Sequence, residues 1–277
     1  MANIGPFSFQ VVLVAAALLL AWLLARFVPR RRDAAARRKT ASLLLDAFMV
    51  GLVAARLAYV ARWWPDYLAQ PRSMLAIADG GFYWWAGVVA AAAFVAWRTR
   101  RLPQLRVPVA AAGVAGLAAW ALALGAVALM HTTRTLPQLV VRTLDDRPVQ
   151  LTAYAGRPLV VNLWATWCPP CQREMPALAR AEQAHPDVTF LMVNQGEGAP
   201  TIQRFLQRMG LRFDHVLLDY GSTVLKEAGA GALPTTLFFD AQGRMVSLHT
   251  GEITAARLRD QIGQLMVARP DGAPAGR

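Results

Sequence analysis

Cysteine is almost missing from this chain of 277 residues: Cys168 and Cys171 are the only two. A four-ligand zinc site therefore has no second cysteine pair to draw on. His185 follows Cys171 at a finger-like distance, but the positions 189–191, where a partner histidine belongs, hold Thr, Phe and Leu. Acidic residues are the second scarcity. Residues 1–135 hold 4 Asp and Glu against 15 Lys and Arg, whereas residues 136–277 hold 13 against 14. The net charge of +12 thus belongs almost wholly to the first half, at the edges of apolar runs. Basic clusters in that setting report membrane topology rather than nucleic-acid binding. Nothing basic precedes the first apolar run, and RFVPRRRDAAARRK follows it at once. That order stops a membrane span rather than marking a cleaved signal peptide.

What is abundant is apolar sequence, with hydrophobic residues making up 56% of the chain. A helix needs roughly 20 apolar residues to cross a bilayer. Runs at about 7–28, 41–62, 82–98 and 107–130 meet or approach that length, the third being the shortest. They predict an α-helical membrane bundle of about four spans over residues 1–130. Arg30, Arg31, Arg32, Arg37, Arg38 and Lys39 lie between the first two runs, and Arg98, Arg100, Arg101 and Arg106 between the last two. The positive-inside rule makes both loops cytoplasmic. The N-terminus, the 63–81 loop and everything after 130 are then expected on the periplasmic side of a bacterial inner membrane. Trp63, Trp64, Trp84 and Trp85 flank that outer loop, as interfacial aromatics do. Asp46 and Arg56 fall inside the second run, where a charge must face the bundle, a partner or the boundary.

The second half has ordinary globular composition. Residues 131–142 are expected to form an exit linker, residues 143–268 an α/β domain, and residues 269–277 a disordered tail. PVQL opens the domain as a strand, and Gly156-Arg157-Pro158 turns the chain into a buried strand over 159–164. A helix follows Cys171, then the strand DVTFLMVNQ and the helix APTIQRFLQRMG, which ends at glycine. The strands TTLFFD and MVSLHT flank a turn at Gln242-Gly243, and TAARLRDQIGQLMVA is a final amphipathic helix.

A disulfide between Cys168 and Cys171 would close a very small loop and add little stability. A redox role rests instead on position. A CxxC between a buried strand and a helix puts its first sulfur at the helix N-terminus, where unpaired N–H groups and the helix dipole favour thiolate. Cys168 is then the attacking nucleophile and Cys171 the resolving thiol. Pro169 and Pro170 restrict the loop between them and remove amide donors.

LWATWCPPCQREMP and ALPTTLFFD resemble the membrane-tethered TlpA/ResA-type thiol–disulfide oxidoreductases of the thioredoxin superfamily, over about residues 140–266. The resemblance implies a thioredoxin-like fold in which Pro234 is a cis-proline facing the disulfide. Leu233, Thr235, Trp167, Pro169 and Pro170 then shape the substrate surface. Asn162 stands where thioredoxin proper has a buried aspartate, and Asn cannot titrate. Glu174 matches the family's acidic residue and could take the proton of Cys171, or it could be a solvated glutamate favoured by the helix dipole. His185, His215 and His249 have no ligand-like spacing. No metal and no cofactor other than the Cys168–Cys171 disulfide is implied. The expected partners are periplasmic protein thiols and disulfides. Because the apolar runs contain no cysteine, a reductase of this kind would also need a membrane electron donor of the DsbD/CcdA type.

Residues 54–87, AARLAYVARWWPDYLAQPRSMLAIADGGFYWWAG, resemble the front part of prolipoprotein diacylglyceryl transferase. Arg56, Tyr59, Val60, Pro71, Gly80 and Gly81 fall on that family's motif positions. The family's functional histidine would fall on Trp85, which cannot accept a proton, and the later Gly-, Arg- and Asn-rich signature is absent. A lipid-facing scaffold without transferase chemistry is the expectation for this half. Arg56 is either an interfacial anchor or a phospholipid head-group contact. The rival functions are a lipid-handling membrane protein with an accessory redox domain, and a binding module that uses its cis-proline groove without redox chemistry.

Overall fold

A computed structural model of the chain describes residues 3–4, 7–8, 34–69, 71, 74, 80–130 and 134–267. The chain divides into two compact units, 2–131 and 132–277.

In the first unit, β1 (Asn3–Ile4) pairs antiparallel with β2 (Phe7–Ser8), so residues 7–8 do not open a helix. The rest of the expected first span lies outside the described residues. Helix α1 (Ala34–Arg62) begins seven residues before the expected 41, because Ala, Arg and Lys are strong helix formers with no breaker among them. A short α2 (Trp64–Ala69) follows, then α3 (Trp84–Arg100) and, after a 3₁₀ turn at Pro103–Leu105, α4 (Arg106–Met130). Among the described residues, the segment Lys39–Arg62 is long and apolar enough to cross a membrane. Much of its apolar surface points outward: Leu45, Met49, Val53 and Leu57 are exposed, as are Val88 and Val89 of α3, while Leu43 and Tyr59 are buried. Asp46 is exposed on α1 rather than packed between helices. Helices α1 and α3 meet backbone to backbone at Gly51 and Gly87. A β-carbon at Gly51 would lie 2.9 Å from the Gly87 carbonyl oxygen, and one at Gly87 would lie 2.8 Å from that of Gly51. Arg56 donates from Nη1 to the Gly81 carbonyl (2.9 Å) and from Nη2 to that of Met74 (3.1 Å), with Tyr67 and Phe82 rings beside its guanidinium. It thus ties the stretch between α2 and α3 to α1 instead of simply reaching for water.

The second unit is a seven-stranded sheet of order β4-β3-β7-β6-β5-β8-β9. Its strands are β3 (Val140–Thr143), β4 (Pro148–Gln150), β5 (Leu159–Trp164), β6 (Thr189–Gln195), β7 (Val216–Asp219), β8 (Thr235–Phe239) and β9 (Met245–Thr250). The β5–β6–β7 core is parallel, while β8 and β9 on one side, and β3 and β4 on the other, run antiparallel to their neighbours. Among the described residues, four α-helices complete the unit: α5 (Pro169–Ala184), α6 (Ala199–Met209), α7 (Thr223–Glu227) and α8 (Ala255–Val267).

The pleat divides the core in two. Val160, Trp164, Phe190, Met192 and Phe238 pack with apolar residues of α5, α6 and α8, while Val161, Leu163, Leu191, Val193 and Leu237 pack with Leu151 and with Val224 of α7. Asn162 lies between Val160 and Trp164 on the first of these faces.

Two expectations about this unit are corrected. Residues 134–142 are not a free linker. Leu136 is buried, its N–H donates to Gly243 O (2.7 Å), Met245 N–H donates to Arg134 O (2.7 Å), and β3 begins at Val140. Sheet pairing absorbs this stretch because Leu136 and Val141 supply apolar side chains that water would otherwise have to cover. The second correction is β7 with α7, an extra parallel strand and short helix between α6 and β8. Four apolar-rich residues were too few to show a period in the sequence. The expected tail, 269–277, lies outside the described residues.

Candidate active site

The CxxC is positioned by the end of one element and the start of another. Strand β5 is wholly buried and ends at Trp164, and α5 starts at Pro169. Cys168 is the N-cap of α5, with Pro169 in the first helical position, where proline's missing N–H costs nothing. Cys168 and Cys171 form a disulfide with Cα atoms 5.3 Å apart. Cys168 Sγ accepts the Cys171 N–H at 3.3 Å. That amide and the helix dipole are placed to stabilise negative charge on Cys168 when the disulfide opens. Cys168 is 3% exposed and Cys171 is fully buried, so an incoming sulfur meets Cys168 first.

Glu174 lies three residues beyond Cys171 on the same helix, turned into the core and 2% exposed. Its Oε1 accepts from Asn162 Nδ2 (2.7 Å) and its Oε2 from the Ile253 N–H (2.8 Å). Burial pushes the carboxyl up from 4.5 to about 8. The bonds from Ile253 and Asn162 pull it down, and the charge of Glu252 pushes it up. Glu174 is therefore not a solvated first-turn residue. Asn162 also donates to Thr236 Oγ1 (3.1 Å), its partner across the β5–β8 ladder. The pleat puts Asn162 and Thr236 under α5, and both are fully buried. Asn162 Oδ1 is buried without a hydrogen-bond partner among the described residues, leaving one acceptor open behind the acid.

Leu233–Pro234 is a cis peptide at the start of β8. Pro234 is buried, and its carbonyl accepts the Gly251 N–H at 2.8 Å. Leu233 is half-buried between the two core clusters. Trp167 is 67% exposed and Pro169 is exposed beside it, a surface a partner chain could touch. Thr235 corrects the sequence expectation. Its side chain is fully buried and its hydroxyl donates to Ala232 O (2.7 Å), so it braces the turn before β8 and offers substrate no side chain. Among the described residues no three His, Cys, Asp or Glu converge as metal ligands.

One residue escaped the sequence reading. Glu197, just after β6, accepts the Thr166 N–H (2.6 Å) and the Thr166 hydroxyl (2.5 Å), as well as Asn194 Nδ2 (2.8 Å). Gln172 Nε2 donates to Thr166 O at 2.7 Å. Both backbone polar groups of Thr166, two residues before Cys168, are thereby fixed by side chains from two other elements. The signal in the sequence was faint: a polar Asn-Gln-Gly-Glu at the C-terminal end of a central strand, where α/β sheets place functional groups.

The chemistry these groups allow is thiol–disulfide exchange: a sulfur at a helix N-terminus, a second thiol behind it, and a buried acid whose proton affinity lies near that of a thiol. Relatives agree. Residues 132–262 match the Redoxin family and residues 1–129 match the Prolipoprotein diacylglyceryl transferase family. The thiol-disulfide oxidoreductase ResA of Geobacillus thermodenitrificans is 35% identical over 130 residues, spanning 46% of this chain and 74% of that protein. ResA of Halalkalibacterium halodurans is 36% identical over 117 residues, 42% of this chain and 66% of the relative. Among solved structures, dsbF of MTB is 28% identical and covers 48% of this chain and 99% of its own, with a TM-score of 0.45. Through its second half, the chain belongs to the ResA-type thiol–disulfide oxidoreductases.

Proposed function

We propose that the chain is a membrane-anchored reductase of protein disulfides on the periplasmic side of a bacterial inner membrane. In the reducing half-cycle, the Cys168 thiolate attacks a substrate disulfide. One substrate sulfur leaves as a thiolate, and the other is held in a mixed disulfide with Cys168. Cys171 then gives its proton to the Glu174 carboxylate and attacks Cys168 Sγ. The mixed disulfide breaks, the second substrate sulfur leaves as a thiolate, and the Cys168–Cys171 disulfide forms. Two electrons pass to the substrate.

Recharging reverses these roles. A donor thiolate attacks Cys168 Sγ, and Cys171 leaves with the proton that Glu174 holds. A second donor thiolate then releases Cys168. The disulfide is the redox group, and no metal or organic cofactor takes part. Since the first half carries no cysteine, electrons come from a separate membrane dithiol protein of the DsbD/CcdA kind. Trp167, Pro169, Pro170 and Leu233 form the contact surface for substrate, and the Pro234 segment lies along its backbone.

The observation that carries this reading is Glu174, buried one turn below Cys171 with a carboxyl near the proton affinity of a thiol. The outward-facing apolar residues of α1 and the arginines at 30–39 and 98–106 support four spans with the redox unit outside. Capture tests the exchange directly. In cells, Cys171→Ser should accumulate mixed disulfides with substrate proteins, and Cys168→Ser should give neither adducts nor turnover. Equal capture of adducts by both variants would remove the nucleophile assignment. Acid quench with thiol alkylation then fixes the direction: a mostly reduced pair in the parental chain means reductase, and a mostly oxidised pair means disulfide donor.

The match of residues 1–129 favours one second reading, a lipid-handling protein with an accessory redox domain. Trp85 weighs against it. Lipid transfer to a cysteine thiol by the purified chain would establish that reading.

A further inference from the structure

Three consecutive residues join the buried acid to the cis-proline. Between β9 and α8, the Gly251 N–H donates to the Pro234 carbonyl (2.8 Å) and the Ile253 N–H donates to Glu174 Oε2 (2.8 Å). The residue between them, Glu252, is bound through its carboxylate to the neighbour of Glu174. Arg173 Nε and Nη2 lie 2.8 and 2.6 Å from Glu252 Oε2. One segment therefore touches the substrate-facing strand, the proton acceptor and the helix that carries both cysteines. Nothing in the exchange chemistry itself requires an ion pair at this place. Arg173 is more than half exposed and Glu252 about two-fifths, and a pair so open to solvent adds little to stability.

The geometry points to the Arg173–Glu252 pair as a latch that holds Gly251–Ile253 between Pro234 and Glu174, so that substrate docking and the resolving proton transfer share one backbone. Arg173 and Glu252 are then positioning residues, and the inference rests on Glu174 being the acceptor. With the latch closed, the Ile253 N–H stabilises the Glu174 carboxylate as Cys171 gives up its proton, and the Gly251 N–H fixes the peptide beside which a substrate strand lies. The charged groups around the acid are few. The segment brings Glu252, α5 brings Arg173, and β9 brings His249, whose Nε2 is 3.2 Å from the Glu252 carbonyl oxygen. Helix α8 adds the Arg257–Asp260 pair, while β5 and β8 present the uncharged Asn162 and Thr236.

The test uses the purified full chain, reducing a protein disulfide across a pH series. Arg173→Gln should raise the KM for that disulfide at least threefold. It should also move the pH midpoint of the resolving step upward, because a loosened Ile253 N–H and an uncompensated Glu252 charge both favour the protonated acid. Exchanging the charges, Arg173→Glu with Glu252→Arg, rebuilds the latch and should return KM to within twofold of the parental value, with the midpoint restored. An Arg173→Gln variant with parental KM and midpoint overturns the latch, as does an exchanged pair no better than the single variant. Glu174→Gln is measured beside them. If it flattens the pH dependence while the latch variants change nothing, the latch alone falls. If it too keeps the parental profile, the proton-acceptor role falls and takes the latch with it.

Discussion

Two carboxylates flank the CxxC on opposite sides, and their surroundings suit them to opposite work. Behind Cys171, Glu174 is sealed among Asn162, Ile253 and the apolar core, with one donor on each oxygen. Ahead of Cys168, Glu197 is only partly buried and takes two donors from Thr166 and one from Asn194. Where burial outweighs the donors, a carboxyl becomes a group that exchanges protons near neutral pH. Where donors from a turn and a strand end converge on it, the same chemical group becomes a strut. The contrast teaches that a motif's neighbours, rather than its distance from the sulfurs, decide which carboxylate joins the chemistry.

The comparison can be broken first at Glu174. Glu174→Gln keeps the shape and removes the acceptor, so the resolving step should slow by about 100-fold, the lower range for lost general acid–base catalysis. Stopped-flow decay of the mixed disulfide measures this, and an unchanged rate would reduce Glu174 to packing.

Stability gives the next largest effect. The folded carboxyl holds its proton up to about pH 8, whereas the unfolded one releases it near 4.5. The contribution of Glu174 is thus fully present below pH 4.5 and is lost as pH rises towards and through 8. Glu174→Gln should match the parental chain at pH 4 and exceed it at pH 9 by up to ~5 kcal/mol, read from denaturant midpoints. A constant difference across that range would contradict the raised carboxyl.

Glu197 should behave in the other way. Glu197→Ala strands the donors on Thr166 and Asn194, with a loss of about 1–3 kcal/mol in stability. Because the turn before Cys168 loosens, the first attack should slow, by roughly tenfold if about 1.4 kcal/mol of the barrier depends on it. The pH profile of the resolving step should stay in place, and a shifted profile would mean that this turn also sets the acid behind Cys171. Thr166→Val removes one donor from the same strut and should cost only about 1 kcal/mol in stability by the same denaturant measurement.

Much of this site was legible in the sequence because its signals are local. Cys168 and Cys171 sit at the junction of a buried β-branched run and a helix, and Leu-Pro-Thr opens a strand, so the residues themselves announce the elements that carry them. Glu174 stood at its helical spacing from Cys171, but its burial depends on Asn162, twelve positions back, and on Ile253 in a loop seventy-nine positions on. That closure is tertiary, and no spacing encodes it. Glu197 was missed for the same reason, since its bond to Thr166 spans thirty-one positions. Strand β7 and the stretch at 134–142 were illegible for a different cause. Each is short, and each becomes ordered through neighbours that supply its hydrogen bonds: β6 and β3 for the strand, the turn at Gly243 for the stretch.

The contact between α1 and α3 has a consequence for how the first half could change over evolutionary time. Where two helices touch through Gly51 and Gly87, the surfaces in contact are largely main chain, with the methyl groups of Ala55 and Ala91 beside it. Substitutions on the exposed faces of those helices leave that seam intact, and Trp85 is itself more than half exposed. Such a scaffold can shed one activity and keep its architecture, which makes it a ready platform for carrying an unrelated catalytic domain.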